Sequence, residues 1–267
     1  MSEADAGKLD LGGGNPVTIH TVPVDRPWSW LRAGWQDLRQ CPQSSLAYGL
    51  IWVGVSLMLI LGLWAAGQGY WLLPLVAGFM LMGPIVAVGT YTMSRDLAEG
   101  RQPSLSAGFL AWRTNTTQIF LLGVLLMVFL LAWIRFATLL FALFFGTNIP
   151  VLDSPGMVYS ELLLSTPGIT MVIVGSLIGM VLAFTAFALS VVSIPRLLDQ
   201  PRTSVLEAAI ISLAVVQRNF WPMLVWGLIL SVVTFAGLAF FLIGLAVTLP
   251  LLGHASWHAY RDLVSEG

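Results

Sequence analysis

Residues 221 to 260 run for forty positions with almost no polar break. As one helix, at about 1.5 Å per residue, they would reach roughly 60 Å, about twice the hydrocarbon core of a bilayer. The stretch therefore has to fold back on itself, and a tight hairpin around Gly237 to Gly244 divides it into spans at 220–239 and 241–260. Four further apolar runs lie at 45–66, 70–93, 117–138 and 168–192. Each matches the roughly 20 residues needed to cross about 30 Å of hydrocarbon. The sequence predicts an all-α polytopic membrane protein with six transmembrane helices.

Composition excludes the alternatives. The chain is 57% hydrophobic and 9% charged, whereas a soluble domain carries about 25% charged residues. Twelve basic against thirteen acidic residues leave no surplus for a nucleic-acid partner. The single Cys41 cannot form an internal disulfide. Residues 1–25 hold Glu3, Asp5, Asp10 and Gly12-Gly13-Gly14 without the apolar run of a signal peptide. They are expected to be a disordered cytoplasmic tail before a single membrane domain at 26–265.

Orientation follows from the cations. Lys8, Arg26, Arg32, Arg39, Arg95, Arg101, Arg113, Arg196, Arg202, Arg218 and Arg261 fall on one side of the six spans. The positive-inside bias then places both termini in the cytoplasm. Arg135 is the exception. It lies about 27 Å along span three, near the outer headgroups. There it snorkels, pairs with Asp153 or Glu161 in an external insertion at 139–167, or serves as a functional charge.

The chain also repeats. Pro84 precedes Arg95-Asp96-Leu97 by the same spacing at which Pro250 precedes Arg261-Asp262-Leu263. An amphipathic stretch stands before spans one, three and five. In the first of these, Trp28, Leu31, Trp35 and Leu38 share one face, and Arg32, Gln36 and Arg39 another. These patterns predict three parallel units, about 26–100, 103–199 and 203–264, each an interfacial helix plus a hairpin. Pro84 and Pro250 should then kink their spans at matching depths, each freeing a carbonyl one turn earlier.

With Trp30-Leu31-Arg32-Ala33-Gly34-Trp35, Gly83-Pro84, Ser94-Arg95, Pro103-Ser104-Leu105 and the ending Leu249 to Arg261 in view, the chain resembles a known family. These motifs are similar to those of the bacterial integral membrane proteins grouped as domain of unknown function 2189. The likeness covers about residues 25–265 and implies a bacterial inner (plasma) membrane protein without an assigned activity. Some members carry an automatic label of cytochrome c oxidase subunit.

The residues do not support that label. A haem–copper core needs about half a dozen histidines on several spans, and this chain has three. His254 and His258, one turn apart, are the only weak metal candidates, and the expected role for them is hydrogen bonding. No cofactor and no catalytic constellation is read from the sequence. No carboxylate lies inside a predicted span, which argues against ion-coupled transport. Asp96, Glu99, Asp199 and Glu207 read as solvated charge. Gly175 and Gly179 form a GxxxG that lets another helix, expected within the same molecule, approach closely.

The expected function is that of a non-enzymatic accessory, assembly or organising protein. Its partners would be a membrane protein or a second copy, with arginines at the cytoplasmic rim meeting anionic headgroups. The alternative is a transporter or permeation path for a small neutral or apolar solute. A continuous polar-lined cavity inside the bundle would favour transport, and a close-packed interior would favour the organising role.

Overall fold

The computed structural model describes residues 7–9, 16–146, 164–240 and 242–266. Three short strands are β1 (Gly7–Leu9), β2 (Val17–Ile19) and β3 (Val264–Glu266). The helices begin with α1 (Arg26–Gln40), α2 (Pro42–Ala65), α3 (Leu72–Val86), α4 (Val88–Ala98), α5 (Leu105–Leu110) and α6 (Thr116–Phe145). They continue with α7 (Thr166–Ser190), α8 (Ser193–Asp199), α9 (Val205–Arg218), α10 (Phe220–Ala239) and α11 (Leu245–Leu263). Local chemistry sets several starts. A proline stands in the first turn of α1, α2 and α7, where its missing N–H removes no helical bond. Ser104, Ser165 and Ser204 cap α5, α7 and α9, accepting from the N–H of Ala107, Gly168 and Glu207 at 3.1–3.2 Å.

Among the described residues, four helical stretches are long and apolar enough to cross a membrane: Pro42–Ala65, Leu105–Phe145, Thr166–Asp199 and Phe220–Ala239. In the first three only 17% of the most apolar stretch is buried inside the protein, and in the fourth 28%. Apolar faces turned outward to that extent need lipid as their solvent. The other two expected spans have a different character. Residues 72–98 form two helices, α3 and α4, that part at Ala87, and α11 carries His254, Ser256 and His258 among its apolar residues.

The core sits at one end of the bundle, where α1, α4, α8, α9, the start of α10 and the second half of α11 converge. Trp30, Tyr91, Ile194, Leu197, Val215, Trp226, Trp257, Tyr260 and Leu263 are all at most 3% exposed. Trp30 stands edge-on to Trp226 at 5.7 Å. Close backbone approaches set the packing of α11. Gly34 of α1 lies against Ala255, Gly253 lies against Thr90 of α4, and Gly237 of α10 lies against Gly244 and Thr248. The Gly237–Gly244 approach is the tight turn that the forty-residue run requires.

Several expectations need correction. The described part of the tail is ordered. β2 pairs antiparallel with β1 and with β3, and Val17 and Ile19 are 2% and 1% exposed. The apolar side chains at 17, 19 and 22 join the core, which the acidic, glycine-rich composition around them concealed. The all-α reading therefore gains a small three-stranded sheet.

The buried stripe of α1 is also turned from the expected apolar face, with only Leu38 common to both. Trp30, Gly34, Asp37 and Leu38 point inward, while Trp28 and Trp35 lie outward beside Arg32 and Arg39. Helix α6 runs on to Phe145, so the expected insertion at 139–167 begins with helix. Its residues 147–163, with Asp153 and Glu161, lie outside the described residues, and its end already belongs to the start of α7.

The prolines behave unequally. The chain breaks just after Pro84, whereas α11 passes through Pro250 unbroken. The hydroxyl of Tyr48 repairs the first break, donating to the Val86 carbonyl at 2.7 Å and accepting from the Gly89 N–H at 3.2 Å. A two-sided cap of this kind satisfies the backbone groups that a break in an apolar helix leaves free.

Candidate functional site

Away from the buried core the helices form two packed groups. Helices α3, α6 and α7 pack together, and α2 and α10 pack on α11. Between the groups lies a cleft of about 1340 Å³. Its walls come from Phe79, Gly83 and Pro84 of α3, Trp133 and Phe141 of α6, and Gly175 and Gly179 of α7 on one side. Gly227, Leu228, Ser231 and Thr234 of α10, with Leu245, Leu249 and Leu252 of α11, face them. Tyr91, Ser190, Met223 and Ser256 line the end next to the buried core. The polar groups among these are neutral hydroxyls. Those of Ser190, Ser231 and Ser256 already donate to carbonyls of their own helices.

The glycines of the GxxxG help shape this wall. A side chain at Gly179 would lie 2.9 Å from Trp133, and one at Gly175 would lie 3.5 Å from Leu140. Both therefore face α6 of the same molecule.

On the other side of α11 a chain of polar side chains links four elements. Asp37 of α1, as a carboxylate, can only accept. It receives the Ser94 hydroxyl at 2.7 Å and the His258 Nε2–H at 2.8 Å. With its proton so committed, Ser94 accepts from His254 Nδ1 at 2.7 Å, and His254 Nε2 accepts from the Ser45 hydroxyl at 2.9 Å. This ordering assigns the Nδ1–H tautomer to His254. The Cys41 thiol donates to the Asp37 carbonyl at 3.4 Å and lies 3.3 Å from the Ser45 hydroxyl. Burial raises the pKa of that thiol, with the Ser45 hydrogen bond opposing it.

Ser45, Ser94 and His254 are at most 1% exposed. The Ser45–His254 pair thus has the contacts of a nucleophile and its base but no opening through which a substrate could reach it. Its chemistry is that of a satisfied polar clasp. His254 and His258 are not turned toward a common ligand position, because His254 engages two serines and His258 engages Asp37. Asp37 escaped the sequence reading. The available signal was its place on the Trp30, Gly34, Asp37, Cys41 stripe of α1, which is the buried stripe.

The two repeated arginines meet at one place. Arg95 donates to the Leu198 carbonyl at 2.8 Å, and Arg261 reaches Asp199 at 3.2 Å, so both end on the last turn of α8. Asp199 also accepts from the Tyr260 hydroxyl, and Asp96 accepts from Arg101 at 2.6 Å. The reading of Asp96 and Asp199 as solvated charge is thereby corrected. Arg135 is exposed on α6 and has no acidic partner among the described residues.

A scan of protein families gives a match over residues 72–199 to the family described as "Predicted integral membrane protein (DUF2189)". The likeness to this family is confined to that segment. The DUF2189 match covers α3 to α8, and so one wall of the cleft together with the α8 junction. The likeness expected over 25–265 is wider than the match. The Trp30–Trp35 stretch and the Leu249–Arg261 ending lie outside it. No curated protein and no solved structure matches the chain.

Proposed function

We propose that the protein is a non-enzymatic integral protein of a bacterial inner membrane that holds or passes a long apolar molecule in its intramembrane cleft. The volume of the cleft carries this reading. Small-molecule pockets are typically about 300–1,000 Å³, and this one, at about 1340 Å³, is larger. Its walls are apolar and its polar groups uncharged, so water and ions gain nothing there while a hydrocarbon chain loses nothing. The interior is neither close-packed nor polar-lined, so of the two functions expected from the sequence the cleft supports the path for an apolar solute and not one for a polar solute. An accessory subunit acting only through surface contacts needs no such interior. In this reading α3 with α4, and α11, complete six crossings, and both termini face the cytoplasm.

The test fills the cleft from a position that tolerates it. A side chain added at Gly83 meets no other atom within 4 Å, and Gly83 lines the cleft. Protein purified in mild detergent should release a defined set of co-purifying lipids or isoprenoids on organic extraction. Gly83→Phe should lose them while unfolding at a similar temperature. An identical extract from both proteins would overturn the proposal.

A further inference from the structure

Five of the ten arginines in 26–267 outside Arg135 are committed within the protein. Arg26 pairs with Asp262, Arg101 with Asp96, Arg196 with Glu266 and Arg261 with Asp199, while Arg95 holds the Leu198 carbonyl. Arg32 and Arg39 are not committed in this way. Both are exposed on α1, and no acid faces either among the described residues. The only acid inside α1, Asp37, is on the opposite, buried face, taken by Ser94 and His258.

Arg32 lies in a shallow groove of about 310 Å³, with Trp28, Leu31 and Trp35 of its own helix and Leu251 of α11 as the other walls. Trp28 and Trp35 are 57% and 42% exposed. The guanidinium of Arg39 lies 5.8 Å from the ring centre of Trp35. The helix crosses α11 where Gly34 meets Ala255. That contact is six residues, about 9 Å, before Arg261, a depth that suits a helix lying about 5–10 Å into the headgroup boundary.

We infer that this groove is a binding site for one anionic phospholipid of the leaflet that α1 borders. The phosphate is held by Arg32, with Arg39 adding positive charge. The glycerol region lies between Trp28 and Trp35, and an acyl chain follows Leu31 and Leu251 inward. Each part has its own reason. A guanidinium presents paired donors that match phosphate oxygens. Tryptophan combines an apolar body with a polar edge and settles at the headgroup level. The leucines continue the groove toward hydrocarbon. A zwitterionic lipid offers the same phosphate together with a cation that two arginines repel. The inference is independent of the cleft.

Native mass spectrometry of the purified full chain, titrated with phosphatidylglycerol or phosphatidylcholine, tests it. The wild type should retain phosphatidylglycerol in preference to phosphatidylcholine. Arg32→Gln should weaken phosphatidylglycerol retention about tenfold, the scale of one lost charge-assisted contact, and Arg32→Lys should fall between. Arg202→Gln, an exposed arginine on the turn after α8, should change nothing. Unchanged retention in Arg32→Gln would refute the site. So would an equal loss in Arg202→Gln, which would mean a diffuse charge effect. Equal unfolding temperatures for all three variants show that the readout is binding and not folding.

Discussion

Gly49 of α2 faces the carbonyl oxygen of Ala246 so closely that a side-chain carbon at Gly49 would lie 2.3 Å from it. That carbonyl is the one Pro250 leaves without its helical donor, since a proline has no N–H to return four residues back. The neighbouring Tyr48 repairs the break after Pro84. Two adjacent residues of α2 thus attend the two prolines. One uses a hydroxyl and the other a close Cα–H approach to oxygen.

Gly49→Ala should therefore separate α2 from α11. The forced shift should lower stability by about 1–3 kcal/mol, the usual cost of overpacking a filled interior. Gly62→Ala on the same helix, where an added carbon meets nothing within 4 Å, is the comparison. Thermal unfolding in detergent should show a clear drop for Gly49→Ala and none for Gly62→Ala. Equal behaviour of the two would refute the contact.

Tyr48→Phe keeps the ring against Phe109, 4.9 Å away, and removes only the hydroxyl. The Val86 carbonyl and Gly89 N–H then lose a partner, which should cost about 1–3 kcal/mol. Hydrogen exchange at Gly89 reads the effect directly. Faster exchange there with little change in α10 is the expected result.

The polar clasp makes a sharper demand. Asp37→Ala strands the buried Ser94 hydroxyl and takes the acceptor from the half-buried His258, so a loss of about 1–3 kcal/mol is expected. Ser45→Ala removes a single donor to His254 and should cost about 1 kcal/mol. If both variants unfold like the wild type, the clasp contributes nothing.

Acid should loosen the N-terminal strap. Burial alone would raise the pKa of the Asp262 carboxyl, but hydrogen bonds from Arg26 and Trp30 outweigh it and hold the group below its usual value. A lowered folded-state pKa gives stability that is complete above the unfolded aspartate range, about pH 4, and is lost as pH falls through the lowered value. Proteolysis near Arg26 should accelerate below about pH 4 in the wild type. In Asp262→Asn it should be fast already at neutral pH and vary little with acid.

Orientation can be read with single cysteines in a Cys41→Ser background. Ser154→Cys should react with a membrane-impermeant reagent added to the periplasmic side, and Gln102→Cys only after the cells are opened. The reverse pattern would invert the positive-inside assignment.

Much of the membrane layer was legible because length alone limits what an apolar run can do. The hairpin between α10 and α11 followed from forty residues that could not be one span, and Gly237 and Gly244 marked where the helices would touch. What was hidden lies at the core end. Asp96 and Asp199 there read as solvated charge because a sequence does not show which acid meets which base, and each has a partner. The buried stripe of α1 was misplaced because tryptophan suits a core as well as a membrane boundary, and Trp30 takes the first role while Trp28 and Trp35 take the second. The cleft could not be read at all, since it is set by which helices fail to pack.

The pairing of β2 with β3 also sets an order in time. Residues 17–19 leave the ribosome early, yet their partners at 264–266 come more than two hundred residues later. At about 5–20 residues per second of synthesis, Val17 and Ile19 wait some ten seconds or longer before the surface that covers them exists. Throughout that interval the spans enter the bilayer one after another with the core end still open. A nascent chain that stalls before residue 264 therefore shows two uncovered apolar side chains to any quality-control protease, and only passage of that last strand withdraws them.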